Sequence, residues 1–185
     1  MPRTEIALLR GINVGTAKRI AMADLKKVVE KLGYGDVRTL LNSGNIVYTV
    51  PAKLRGDSAA RIQKAIAEKL GVVSRVTVVT ADELAAAAEK NPLREAKADP
   101  PRFLVAFLSR SEDGALLEPL SRRKWGKEKL SLGERVAYLW CADGILDSAL
   151  LKELGRVLKD GVTTRNWATA TKLLDLARGG STEPE

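Results

Sequence analysis

Two stretches of the chain pass through the same order of hydrophobic patterns, and few small folds accept that order twice. Residues 4–80 read strand, helix, strand, strand, helix, strand. Glu5 to Arg10 is an almost continuous apolar run, the pattern of a buried strand. Leu25, Val28, Val29 and Leu32 follow at the spacing of one helix face, with Gly33 placed for a left-handed cap. Val37–Leu41 and Ile46–Val50 flank Asn42-Ser43-Gly44-Asn45, a turn sequence, so the pair reads as a hairpin. A helix carrying Ile62, Ile66 and Leu70, capped by Asp57 or Ser58 and ended by Gly71, leads to a β-branched strand over Val73–Val79.

Residues 102–164 repeat the order. Phe103–Leu108 is an apolar strand, and a helix is expected within Glu112–Arg123. A hairpin over Lys127–Leu132 and Arg135–Cys141 turns at Leu132-Gly133-Glu134. Leu150, Leu154, Val157 and Leu158 form a helical face, and Val162-Thr163 is a short extended piece. A helix follows each stretch, about 81–90 and about 165–178; Thr80 and Glu83 have capping-box spacing at the first. The order is that of the ferredoxin-like split βαβ unit. The expected fold is therefore α+β, with two ferredoxin-like βαββαβ modules, each followed by an extra helix. The expected organisation is a first module over 1–90, a linker over 91–102 containing Pro92, Pro100 and Pro101, a second module over 103–178, and a disordered tail over 179–185.

Composition narrows the chemistry. The chain has no histidine and one cysteine, Cys141, which excludes Ser-His-Asp and Cys-His catalysis and zinc sites rich in Cys or His. No cofactor or metal is expected. Lys and Arg total 31 against 23 Asp and Glu, a formal charge of +8, which favours anionic partners such as nucleic acid or a phosphorylated small molecule. No apolar run approaches the ~18 residues of a membrane span. Met1-Pro2-Arg3-Thr4-Glu5 enters a strand directly, without a secretory leader. The expected location is cytoplasmic, with no membrane partner.

Four stretches are candidate sites. In Arg10-Gly11-Ile12-Asn13-Val14-Gly15, the glycines permit close backbone approach, and Arg10, Lys18 and Arg19 add charge. The spacing is neither a Walker loop nor G-x-G-x-x-G. Asn42, Ser43 and Asn45 sit in the hairpin turn, where turn chemistry alone accounts for them. Thr163 or Thr164 is expected to cap the last helix, with Arg165, Asn166 and Trp167 at its start. Arg122, Arg123, Lys124, Trp125, Lys127 and Lys129 form a basic patch with an aromatic, a candidate nucleic-acid surface. Phe103, Phe107, Tyr138 and Trp140 are expected to be buried against helices or at a module seam.

Arg10-Gly11-Ile12-Asn13-Val14-Gly15, Asn42-Ser43-Gly44-Asn45 and Thr164-Arg165-Asn166-Trp167, in that order, resemble the motifs of the bacterial domain-of-unknown-function family 1697 over residues 4–178. The resemblance implies an α+β fold with ferredoxin-like halves and brings no catalytic residue. The chain departs from the family pattern at Thr16-Ala17, where glycine then lysine is usual, and at Ala168, where asparagine is usual. If the three motifs met, Arg10, Asn13, Asn42, Ser43, Asn45, Arg165 and Asn166 would share one surface. With the first and third strands taken as parallel, however, Arg10 and the 42–45 turn stand a strand length apart, ~17–20 Å.

The reading that follows is an anion-binding protein, with nucleic acid as the leading ligand. One alternative is an enzyme acting on a phosphorylated or carboxylated small molecule, with Arg10 and Arg165 holding the anion. Another is a protein-interaction or dimerisation module built on the aromatics.

Overall fold

The computed structural model describes residues 2–16 and 18–180; residues 181–185 of the expected tail lie outside it. The chain runs β1 (Arg3–Leu9), α1 (Met22–Lys31), β2 (Gly35–Leu40), β3 (Asn45–Val50), α2 (Ser58–Leu70), β4 (Val76–Thr80), α3 (Ala81–Glu89) and α4 (Glu95–Ala98). It continues β5 (Phe103–Leu108), α5 (Glu118–Ser121), β6 (Lys129–Leu132), β7 (Val136–Trp140), α6 (Ala149–Leu158), β8 (Val162–Asn166) and α7 (Trp167–Ala177). Two four-stranded antiparallel sheets result, ordered β2-β3-β1-β4 and β6-β7-β5-β8. The repeated sequence order is thus a repeated topology: two βαββαβ modules, each followed by a helix.

The described residues group into two compact units. One holds those up to Glu83 together with those from Leu173 on; the other is Leu84–Lys172. The proline-containing segment 91–102 lies inside the second unit and carries α4 and a 3-10 turn, Pro100–Arg102. Pro100 and Pro101 start the 3-10 turn that feeds β5, a position where a missing amide donor costs nothing.

In the first unit, α1 and α2 turn Leu25, Val29, Ile62 and Ile66 onto Ala7, Leu9, Ile46 and Tyr48 of the sheet. Asp57 caps α2 by accepting from the Ala59 and Ala60 amides at 2.9 and 3.2 Å, and Gly71 ends it with φ 67°. The capping box closes as spaced: the Glu83 amide donates to Thr80 Oγ1 (3.0 Å) and the Thr80 amide to Glu83 Oε2 (2.7 Å). β4 starts at Val76 rather than Val73. The Val76 amide donates to Gln63 Oε1 (3.1 Å) and Ser74 Oγ to the Arg10 carbonyl (2.9 Å), so Val73 to Arg75 form a connection tied to its neighbours.

One carboxylate is buried in this core. Glu5 is 5% exposed and accepts from Arg3 Nε (2.7 Å) and the Tyr48 hydroxyl (2.9 Å). Burial, and then the Glu5 charge, hold the Tyr48 phenol far above its ordinary pKa of 10.0. Because the folded value is raised, the stability this gives is present below about pH 10 and is lost as pH rises beyond it, where the unfolded chain ionises first. Tyr48→Phe leaves Glu5 one donor short, for an expected loss of about 1–3 kcal/mol at neutral pH. In urea titrations the gap between parent and variant should narrow above pH 10; a gap independent of pH would disprove the coupling.

The second unit packs Leu104, Ala106, Leu108, Ala137 and Leu139 of its sheet against Leu150, Leu154 and Leu158 of α6. Ser148 caps α6 by accepting from the Leu151 amide at 2.9 Å. The helix expected within 112–123 is a 3-10 turn over Ser111–Leu117 followed by the short α5. Pro119 in the first turn of α5 supplies no amide donor, so the α-helical ladder restarts there. Phe103, Phe107 and Tyr138 are buried on the sheet face opposite α6. There the Tyr138 hydroxyl donates to the Ala87 carbonyl of α3 (2.7 Å), and Trp167 meets Phe103 edge-to-face at 5.6 Å. Cys141 is fully buried, and burial pushes its thiol up.

Candidate functional site

β1 and β3 are antiparallel, with Leu8 opposite Asn45. This corrects the parallel arrangement assumed from the sequence. A helical crossover makes β1 and β2 run the same way, and the hairpin then reverses β3. The end of β1 therefore lies beside the β2–β3 turn rather than a strand length from it. The Leu9 amide donates to the Gly44 carbonyl (2.8 Å), and the Arg10 amide to the Arg75 carbonyl (2.9 Å). Three connections meet at this end of the sheet: 10–21, 41–44 and 71–75.

Asn13 binds two of them together. Its Nδ2 donates to the Ile20 carbonyl (2.9 Å) and the Asn42 carbonyl (2.7 Å), and its Oδ1 accepts from the Ile20 amide (2.8 Å). Its own amide donates to the Lys18 carbonyl (3.0 Å), with φ 54°. Asn45 is fully buried and its Nδ2 donates to the Leu40 carbonyl (2.8 Å) and Ser43 Oγ (2.9 Å). Both asparagines are thus spent on holding the loops. Gly11 and Gly15 share φ 64° with open space around them, whereas Gly44 (φ 80°) lies against Leu9 and Ile12.

What this end presents is charge and apolar surface. Lys18, Arg19 and Arg75 are exposed and Arg10 is half-buried, and the three connections contain no acid. Val14 (73% exposed), Leu41 (38%) and Val73 (73%) stand on the same three connections, one on each. Leu41 takes φ 56°, a strained conformation for a bulky side chain, as part of presenting it. Arg75, Leu41 and Val73 were not legible as site residues, because the sequence places all three in strands, Leu41 in Val37–Leu41 and the other two in Val73–Val79. Val14 lies within the opening motif, where only its glycines and polar neighbours stood out.

The matching end of the second sheet is a control built on the same scaffold. There the Leu108 amide donates to the Arg135 carbonyl (2.9 Å) and the Ser109 amide to the Gly161 carbonyl (2.8 Å). Its connections carry Arg110, Arg135 and Lys159 against Glu112, Asp113, Glu134 and Asp160, and Arg110 is paired to Asp113 at 2.7 Å. The same backbone frame carries both signs of charge, with one acid in excess, in one unit and is purely cationic in the other.

The third motif lies in the second unit. Thr164, Arg165 and Asn166 belong to β8, and α7 is capped not by Thr163 or Thr164 but by Asn166, whose Oδ1 accepts from the Thr169 amide (2.8 Å). Strand pairing with β5 runs through Asn166, opposite Leu104, and so delays the helix by about two residues, from Arg165 to Trp167. Arg165 shares the sheet face of Val105, and its Nη1 donates to the Thr164 carbonyl (2.8 Å). Burial pulls its guanidinium down to about 10, so it stays charged at neutral pH.

The Arg122–Lys129 patch is largely committed within the unit. Arg122 pairs with Glu118 at 3.4 Å, Lys129 with Glu95, and Arg123 stacks on the Trp125 ring at 4.4 Å. The Trp125 indole donates to the Leu120 carbonyl (2.8 Å). Lys124 and Lys127 are exposed, and Lys124 lines a cavity of about 460 Å³ beside Trp125 and Glu128. Among the described residues no group of three or more Cys, Asp or Glu is placed to hold a metal, and no helix is long and apolar enough to cross a membrane.

Fold and site together define an α+β protein of paired ferredoxin-like modules, with one acid-free, cationic loop end. The chain belongs to the family described as protein of unknown function (DUF1697), whose model matches residues 3–138. That span includes the first two motifs and ends before Thr164. A solved structure, the conserved bacterial protein SP0830 from Streptococcus pneumoniae, is 22% identical, with a TM-score of 0.74 over 96% of this chain and 99% of that one. At that identity the likeness shows the fold. No curated protein matches the chain.

Proposed function

We propose that the protein binds single-stranded nucleic acid through the loop end of its first unit. The observation that carries this reading is the acid-free grouping of Arg10, Lys18, Arg19 and Arg75, set against the equivalent end of the second unit, where acids outnumber bases by one. Lys and Arg contacts to phosphates supply most of the affinity for a nucleic acid. Val14, Leu41 and Val73 among those cations favour an unstacked strand, whose bases offer apolar faces that a duplex hides. The three connections hold no carboxylate, histidine or cysteine to take a proton, so the site is suited to binding rather than catalysis. The cytoplasm, the compartment expected from the sequence, is where such a ligand is met.

The test is binding of a labelled single-stranded oligonucleotide against salt, for the parent and for a Lys18→Ala, Arg19→Ala, Arg75→Ala triple variant. Four phosphate contacts on a single strand give a log–log salt slope of about −3, and removing three of them brings it to about −1. A duplex of the same sequence is expected to bind more weakly. Equal salt slopes for parent and variant would refute the site. Tighter capture by anionic phospholipid vesicles than by the oligonucleotide would assign the same surface to a membrane instead.

A further inference from the structure

The second unit contains a cavity of about 720 Å³ lined by Trp167, Leu93, Ala96, Arg94, Lys97 and Glu89 among others. That volume falls within the range of small-molecule sites, roughly 300–1,000 Å³. We propose that it binds a nucleoside monophosphate with an amino-bearing base, the base lying against Trp167 and the phosphate between Arg94 and Lys97. The inference stands on different residues from the nucleic-acid reading and does not depend on it.

Three features support this occupant. The first is a fixed aromatic plate. Trp167 is half-buried and its ring is braced edge-to-face on Phe103 at an interplanar angle of 82°, so a flat ring meets an indole already held in place. The second is charge. Arg94 and Lys97 are exposed, and among the described residues neither forms an ion pair; they sit three residues apart, on neighbouring turns of backbone. Glu89 on the wall accepts hydrogen bonds only, which suits a base carrying an exocyclic amine and works against a second phosphate.

The third is a preformed wall. The Leu93 amide donates to Asn91 Oδ1 (3.0 Å), the Lys97 amide to the Arg94 carbonyl (3.1 Å) and the Asp99 amide to the Glu95 carbonyl (3.0 Å). Glu95 is in turn paired with Lys129 of β6, whose side chain lowers the Glu95 pKa by hydrogen bonding. The segment carrying both cations is therefore pinned to the sheet before any ligand arrives, which limits the ordering cost of binding.

Isothermal titration of the full chain with AMP, adenosine and ribose 5-phosphate tests the site. AMP is expected to bind at one site, with adenosine and ribose 5-phosphate each weaker by about tenfold or more, the loss of one set of charge-assisted or stacking contacts. An Arg94→Ala, Lys97→Ala double variant should weaken AMP by a similar factor and leave adenosine unchanged. Both side chains are exposed, so the variant keeps the fold, which circular dichroism checks. The Lys18→Ala, Arg19→Ala, Arg75→Ala variant should bind AMP as the parent does. No heat with AMP, unaltered AMP affinity in the double variant, or loss of AMP binding in the triple variant would each overturn the proposal.

Discussion

Gly44→Ala is expected to cost about 3 kcal/mol of unfolding free energy, from two sources that can be separated. The first is conformational: φ at Gly44 is 80°, and a side chain in the left-handed region costs about 1–2 kcal/mol. The second is steric. A Cβ built there stands 2.7 Å from Leu9 Cβ and 2.7 Å from Ile12 Cδ1. The Ile12 terminus can swing, but Leu9 Cβ is fixed by β1, and overpacking of this kind costs about 1–3 kcal/mol. Gly11→Ala and Gly15→Ala provide the comparison, since both have φ 64° and nothing within 4 Å of a new Cβ. They should lose only the conformational part, about 1–2 kcal/mol. Urea titration of the three variants decides the matter: equal losses would mean that the close approach of the turn to β1 contributes nothing.

Local rules carried most of the fold. The Thr80–Glu83 box, the Asp57 cap, Gly71 and the alternating strands are all settled by residues within a few positions of one another. Errors arose where a distant partner overrode a local preference. Val73 is β-branched and adjoins a strand, yet Ser74 bonds to Arg10, far away in sequence, and holds it in the connection. Thr163 and Thr164 are good caps, yet pairing with β5 keeps them extended and leaves the task to Asn166.

The site was half legible for the same reason. Arg10-Gly11-Ile12-Asn13 and Asn42-Ser43-Gly44-Asn45 were each readable as turns, from glycine and asparagine content. That they form one surface follows only from the antiparallel register of β1 and β3, a long-range fact. Arg75 joins them through a third connection with no motif of its own. Its one sequence signal is that the three connections share a lack of acid, which becomes visible once they are known to be neighbours.

Asn13→Ala should lower stability by about 2–3 kcal/mol, because three hydrogen bonds are lost and the amide and two carbonyls they served are left without those partners. The Asn42 end is exposed and regains water, which keeps the loss below that of a fully buried network. Alanine also tolerates φ 54° less well than asparagine. Asn13→Gly removes the same bonds without that strain but adds freedom to the unfolded chain, so the difference between the two variants is the strain less that entropy, about 0.5–1 kcal/mol. Asn13→Asp keeps an acceptor for the Ile20 amide but turns a carboxylate oxygen toward the Ile20 and Asn42 carbonyls, and it introduces the first acid among the three connections. It should be the most damaging of the three to oligonucleotide binding. Asn13→Ala removes no charge, yet it unties the connection that carries Lys18 and Arg19 from the Asn42 carbonyl, so binding should weaken by about tenfold through lost preorganisation. Hydrogen exchange supplies the direct readout. The Ile20 amide, held by Asn13 Oδ1, should lose its protection in all variants except Asn13→Asp, while the Ile6 and Val47 amides of the sheet keep theirs. An Ile20 amide that stays protected in Asn13→Ala would show that the loop holds its shape without the asparagine, and the coupling between the two motifs would then rest on the backbone pairing of Leu9 with Gly44.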